Sequence, residues 1–199
     1  MLAKFFVSAL ILAGCSALAS AQTDFALDFY GSFPSKTDSA GVTVSPATSA
    51  GGMIEVRHLK TLLGFEGTYS FNRANQRYNC GVSCGNISVA TIKADAHEVT
   101  FDWVPSVRIA NLRPFGVLGV GALFHVPQSS DQNLFETKTS TNVVYVYGAG
   151  LDVGLIPHFG LRFQYRGNVN KVPDLTNSLS SIDKFTHTSQ PMIGIYIRL

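Results

Sequence analysis

The chain has 199 residues, enough for one domain with a core of its own. Fifteen Lys and Arg against 13 Asp and Glu leave a formal net charge of +2, an overall balance with no polyanion-binding signature, and no nucleic-acid partner is expected. Mean hydropathy is positive and only 14% of residues are charged, yet beyond residue 21 no apolar run reaches the roughly 18 residues of a spanning helix.

Residues 1–21 read as a signal peptide: Lys4, an apolar run from Phe5, then small residues. Two cleavage sites compete there. LAGC, Leu12 to Cys15, looks like a lipoprotein box, and Ala19-Ser20-Ala21 looks like an ordinary signal-peptidase site. A lipid on Cys15 would leave a very short pre-sequence. Cleavage between Ala21 and Gln22 gives an ordinary length and discards the odd cysteine. The expected organisation is a signal peptide over 1–21 and one β-barrel domain over 22–199.

From residue 24 onward the main signal is period-two alternation. In FALDFYGSF, Phe25, Leu27 and Phe29 oppose Ala26, Asp28 and Tyr30. In GGMIEVRHL, Ile54 and Val56 oppose Glu55 and Arg57. LGFEGTYSFN sets Phe65, Tyr69 and Phe71 against Glu66, Thr68 and Ser70; HEVTFDWV sets Val99, Phe101 and Trp103 against Glu98, Thr100 and Asp102. In RPFGVLGVGALFHV, the apolar positions from Leu118 to Val126 oppose Gly119 and Gly121. NVVYVYGAGLDVGLI opposes Tyr145, Tyr147 and Leu151 to Gly148, Gly150 and Asp152. FGLRFQYRG opposes Phe163 and Tyr165 to Arg162, Gln164 and Arg166, and PMIGIYIRL opposes Ile193, Ile195 and Ile197 to Gly194, Tyr196 and Arg198. These are eight strands.

The connections alternate between long polar stretches, such as PSKTDSAGVTVSPATSA and RANQRYNCGVSCGNIS, and short ones, such as Ile156-Pro157-His158. Another short turn is expected near Ala110 to Leu112, with the fourth strand bending on through Pro105 to Ile109. Long outer loops, short inner turns and an even strand number describe transmembrane barrels. The two faces decide between a membrane and a soluble barrel. One face holds nearly every bulky side chain, and eight strands cannot enclose about thirty of them. With Gly and a few polar chains inside and the bulky face on lipid, the packing works, and the sheet must close. The expected fold is all-β: a closed eight-stranded antiparallel transmembrane β-barrel, an up-and-down meander.

GAGLDVGLIPHFGLRFQYRG, RPFGVLGVGALF and LGFEGTYSF resemble strands of the OmpA/opacity-type outer-membrane β-barrel family, which includes porin-family small barrels. The terminal GIYIRL is similar to the signal read by the barrel-assembly machinery, although it ends in Leu199 where an aromatic residue is usual. The resemblance spans roughly residues 24–199 and implies the bacterial outer membrane, with periplasmic termini and extracellular long loops. It implies outer-membrane lipid and lipopolysaccharide as surroundings. No peptidoglycan-binding domain follows, so that role of larger members does not carry over.

The inward face is expected to hold Asp28, Glu55, Arg57, Glu66, Glu98, Asp102, Asp152, Arg162, Arg166 and Arg198. Six acids and four bases in a narrow lumen should pair, because an unpaired buried charge is costly. The main reading is a plugged interior. The alternative is a narrow gated pore for small solutes or ions, in which Glu66 swaps between partners such as Arg162 and Arg198. Phe25, Phe33, Tyr69, Phe71, Trp103, Phe115, Tyr145, Tyr165 and Tyr196 are candidates for aromatic girdles. His187 and Ser189 share a strand face, as in an eight-stranded lipid A deacylase family, but no Asp or Glu follows to orient the His, and a carboxylate from a neighbouring strand or Asp183 would have to serve. His97, His125 and His158 lack metal-ligand spacing, so no metal or other cofactor is expected. Cys80 and Cys84 in CGVSC suit a small disulfide-closed turn in an exported protein, two free thiols being the alternative. Three roles compete: a non-enzymatic envelope-structural or adhesin-like protein whose outer loops meet a host or matrix ligand, a narrow pore, and a lipid A-modifying enzyme.

Overall fold

Alternating apolar and polar side chains suit an extended backbone whose successive residues face opposite ways, and this chain carries that pattern through nearly every strand. A computed structural model describes residues 22–39, 42–59, 63–80, 90–130, 137–175 and 183–199. The strands are β1 (Gln22–Pro34), β2 (Thr37–Ser39), β3 (Val42–Pro46), β4 (Ser49–Leu59), β5 (Phe65–Arg73), β6 (Gln76–Cys80), β7 (Ala90–Trp103), β8 (Leu112–Ser130), β9 (Ser140–Ile156), β10 (Phe159–Lys171) and β11 (Phe185–Arg198).

Eight of them form a closed antiparallel barrel in meander order, as expected: β1, β4, β5, β7, β8, β9, β10 and β11. The first and last staves pair, with Phe25 opposite Ile197 and Leu27 opposite Ile195. Closure is completed between β7 and β8, where Val99 meets Ala122 and Phe101 meets Val120. Every backbone edge of the barrel wall therefore has a partner, which an apolar surrounding demands.

β2, β3 and β6 lie within two of the expected loops. Val42 to Pro46 pair with Cys80 to Gln76, and Gln76 to Tyr78 pair with Ile92 to Ala90, so the three strands extend the wall above β7 at the long-loop end. A cluster of Val44, Tyr78, Ile92, Ala94, Val172 and Leu175 secures the extension. Tyr78 donates to the carbonyl of Pro173 at 3.5 Å, and burial pushes its phenol up to about 12. At the opposite end, β7 stops at Trp103. Residues 104–111 continue as an irregular arm held by bridges from Ser106 to Phe115 and Ile109 to Leu112. The reversal falls at Ala110, which adopts φ 55°, a left-handed conformation uncommon for a residue with a Cβ.

The faces are inverted relative to a water-soluble protein. Phe29, Phe101 and Leu118 are exposed on the outside, while Asp24, Asp28, Glu55, Arg57, Asp152, Arg162 and Arg166 have no exposed surface at all. An apolar wall of this extent far exceeds the few hundred Å² that soluble monomers leave bare, and lipid is the solvent that suits it.

Candidate functional site

The interior is organised by one chain of ion pairs. Arg198 meets Asp24 at 3.4 Å, and Asp24 also holds Arg113. Arg113 reaches Asp152 at 2.9 Å, and Asp152 reaches Arg162 at 2.8 Å. Arg162 pairs with Glu55, which lies 3.5 Å from Arg57. Arg57 pairs with Glu66, Glu66 with Arg166 at 3.1 Å, and Arg166 with Asp102 at 2.8 Å. Acid and base alternate along all ten residues, and each of the eight staves contributes at least one. The five acids and five arginines cancel.

Two aromatic rings fill the space between the guanidinium groups. Phe115 lies 4.0 Å from the Arg57 Cζ and 5.6 Å from that of Arg162. Tyr196 lies between 5.3 and 5.9 Å from those of Arg113, Arg162 and Arg198. Such stacking adds to the charge pairing, all the more when desolvated. Both rings need glycine opposite them. A Cβ on Gly160 would come within 2.5 Å of the Tyr196 ring, and one on Gly150 would run into Phe115. Phe115 and Tyr196 are thus lumen residues and not girdle residues, a correction to the sequence expectation. Strand parity explains it: each sits in step with inward glycines.

The pairings also differ from those expected. Glu66 takes Arg57 and Arg166, while Arg162 takes Glu55 and Asp152 and Arg198 takes Asp24. Among the ten expected lumen residues, Asp28 and Glu98 stand outside the chain. Neither Asp28 carboxylate oxygen has a hydrogen-bond partner, and Glu98 accepts only from the Asn168 side-chain amide, at 2.6 Å. Asp24 and Arg113 belong to the chain and were not among the expected residues. Their signal was parity: Asp24 is in step with Ala26 and Asp28, and Arg113 with Gly119 and Gly121.

Cavities lie on either side of this layer. At the short-turn end, one of ≈ 260 Å³ is lined by Arg108, Asn111, Arg113, Tyr196 and Arg198 among others. At the long-loop end, one of ≈ 50 Å³ is lined by Gln76, Glu98, His125, Asn168 and Gln190 among others. A third, of ≈ 390 Å³, sits against the β3–β6 extension with Lys36, Arg77, Asn75 and Asn79 in its walls.

On the outer wall, tyrosine hydroxyls tie strands together towards the long-loop end, two of them between neighbouring strands and the one on Tyr147 across β10. Tyr69 meets His97 at 2.9 Å, Tyr147 meets His187 at 2.8 Å, and Tyr165 meets Ser189 at 3.0 Å. His187 and Ser189 therefore each face a tyrosine, and Asp183 pairs with Lys171 at 2.6 Å. Among the described residues no group of His, Cys, Asp and Glu is arranged to hold a metal. The suggested Cys80–Cys84 closure, the cleavage after Ala21 and the lipoprotein box at Cys15 lie outside the described residues and side chains.

A closed eight-stranded wall with an apolar outside and a charged inside defines an outer-membrane β-barrel. The chain belongs to the outer membrane protein beta-barrel domain family, whose model matches residues 6–184. The family implies the bacterial outer membrane. Neisserial surface protein A is similar in structure, with TM-score 0.58 and 11% identity over 88% of this chain and 96% of that one. OprG of Pseudomonas aeruginosa gives 0.56 and 12% over 90% and 96%, and Ail of Yersinia pestis, crystallised with the heparin analogue sucrose octasulfate, gives 0.54 and 15% over 90% and 99%. At these identities the likeness is one of fold. No curated protein matches the sequence.

Proposed function

We propose that this barrel is an adhesin-like surface protein whose long-loop end meets a host or matrix ligand and whose lumen serves as structural filling. The observation that carries the reading is the contrast between the two. The lumen is crossed by an ion-pair chain touching every stave, while β3, β6 and the segments beside them build a polar groove with Lys36 and Arg77 above the wall. Likeness in fold to an attachment protein crystallised with a sulfated heparin analogue supports testing polyanionic glycans first. In this reading the termini face the periplasm, the outer wall meets lipid and lipopolysaccharide, and the C-terminal strand is the element that the assembly machinery reads. Catalysis has no part in it: His187 and Ser189 each meet a tyrosine, and among the described residues no carboxylate is hydrogen-bonded to His187.

Cells displaying the protein should bind immobilised heparin or extracellular matrix. Exchange of residues 35–48 should remove binding, and lumen variants that still fold should retain it. Binding that survives the exchange overturns the reading. The cavities at both ends of the lumen favour a second reading, a narrow pore gated by the arginine layer. Stepwise conductance in a planar bilayer, altered by Glu66→Ala, would support it, and a silent barrel would count against it.

A further inference from the structure

Twelve buried side-chain atoms among the described residues lack a hydrogen-bond partner, and five of them line the single small cavity at the long-loop end. They are Gln76 Oε1, Glu98 Oε1, His125 Nδ1, Asn168 Oδ1 and Gln190 Oε1, on residues each no more than 5% exposed. Four are oxygens, and the imidazole nitrogen accepts when its proton sits on Nε2. Asn168 cannot turn its amide round without loss, because its Nδ2 donates to Glu98 Oε2 at 2.6 Å.

Several of the donors in the same walls are already engaged. Asn72 Nδ2 donates to Ser49 and to the Arg73 carbonyl, Asn170 Nδ2 to the Lys171 carbonyl, and the Thr186 hydroxyl to the Ser35 carbonyl. Pro34, Pro46 and Pro173, also in the walls, have no N–H to offer. With these donors engaged, the unpartnered buried atoms that remain on the lining residues are acceptors. Charge points the same way. Among the described residues, seven buried carboxylates face five arginines in the lumen, and Glu98 is one of the two with no arginine in ion-pair contact.

We infer that this cavity binds a protonated primary amine head group. A buried carboxylate with a free oxygen calls for a cation. A hard metal ion such as Ca²⁺ takes about six to eight oxygen ligands and has no use for an imidazole nitrogen, and transition metals prefer more imidazole or thiolate than one His125 supplies. An ammonium group accepts this mixed set, since its three N–H bonds can point at carboxylate, amide oxygen and imidazole nitrogen alike. A volume of ≈ 50 Å³ admits a head group and not a bulky body. The inference is independent of the adhesin reading, which concerns the outer surface.

The test is a titration of the folded barrel in nanodiscs with methylammonium chloride, followed by NMR of the histidine imidazoles and side-chain amides. His125 and the amides of Asn168 and Gln190 should shift saturably, while the other four histidines stay put. Tetramethylammonium chloride, equal in charge but without donors, should leave them unmoved. Glu98→Gln should weaken binding about tenfold or more, the scale of one charge-assisted hydrogen bond. Gln190→Met serves as a second weakening variant should Glu98→Gln fail to fold, folding being checked by heat-modifiable gel mobility. Unsaturable drift, an equal response to both salts, or full affinity in both folded variants overturns the inference. So does CaCl₂ shifting the same groups where methylammonium does not.

Discussion

The two halves of the lumen solve the problem of buried polarity in opposite ways. Towards the short turns, ten charged side chains are linked acid to base with Asp28 left outside the chain, and two aromatic rings occupy the gaps between them. Towards the long loops, polar side chains leave acceptor atoms without partners around a cavity. A paired buried charge depends on its partner and is costly to orphan, whereas a polar group beside a cavity can be met by water or ligand. The lower half should therefore be rigid and intolerant of change, and the upper half adaptable.

The largest effect should follow Arg162→Ala. Arg162 is fully buried and holds both Glu55 and Asp152, so its loss leaves Glu55 only Arg57, and Asp152 only Arg113 and Arg57, among the described residues. Breaking a buried pair in this way costs about 3–5 kcal/mol. The urea midpoint of the heat-modifiable gel shift should fall sharply, and adding Glu55→Gln and Asp152→Asn should recover part of it. A midpoint within error of wild type would show that the chain of pairs does not hold the barrel together.

Next in size is Gly160→Val. Its side chain would occupy the space of the Tyr196 ring, and overpacking costs about 1–3 kcal/mol. The double variant with Tyr196→Ala should be less impaired than the sum of the two single changes, since the residues share one space. Strict additivity would place the ring elsewhere.

The halves also differ in how far they can be read from sequence. Alternation locates the eight staves and most inward charges, because a half-buried strand must repeat every two residues. It misses Arg113, where Pro114 and the preceding turn hide the start of the pattern until Phe115. It misses β2, β3 and β6, which are too short for a period to stand out. Alternation fixes the face of a residue but not its height, and height decides which charges meet. That is why Glu66 finds Arg57 and Arg166 in place of Arg162 or Arg198. The acceptor cavity was the least legible feature: of its residues only Glu98 on β7 stood out, and the Gln, Asn and His side chains on β6, β8, β10 and β11 carry no motif of their own.

Glu98→Gln sharpens the contrast from the other side. Glu98 is buried, at 3% exposed, as nearly all members of the ion-pair chain are, so burial alone would make it comparably sensitive. Its one bond, from Asn168, survives in a glutamine that keeps its oxygen towards that amide. The urea midpoint should move by the equivalent of about 1 kcal/mol or less, the usual net worth of one hydrogen bond. A loss as large as that of Arg162→Ala would mean that Glu98 is paired after all, and the division of the lumen would fall.

The smallest effect should come from Lys171→Ala. Lys171 and Asp183 meet at 2.6 Å, as close as any buried pair needs, but their side chains are 52% and 78% exposed. Water and salt screen such a pair, and ordering two long side chains opposes its attraction, so exposed pairs contribute about 0–1 kcal/mol. The midpoint should stay nearly fixed, and raising salt should not change the difference from wild type by much. Geometry matches the buried pairs while solvent does not, so the variant isolates desolvation. If Lys171→Ala destabilised the barrel as strongly as the lumen variants, contact distance and not burial would set the scale of these interactions.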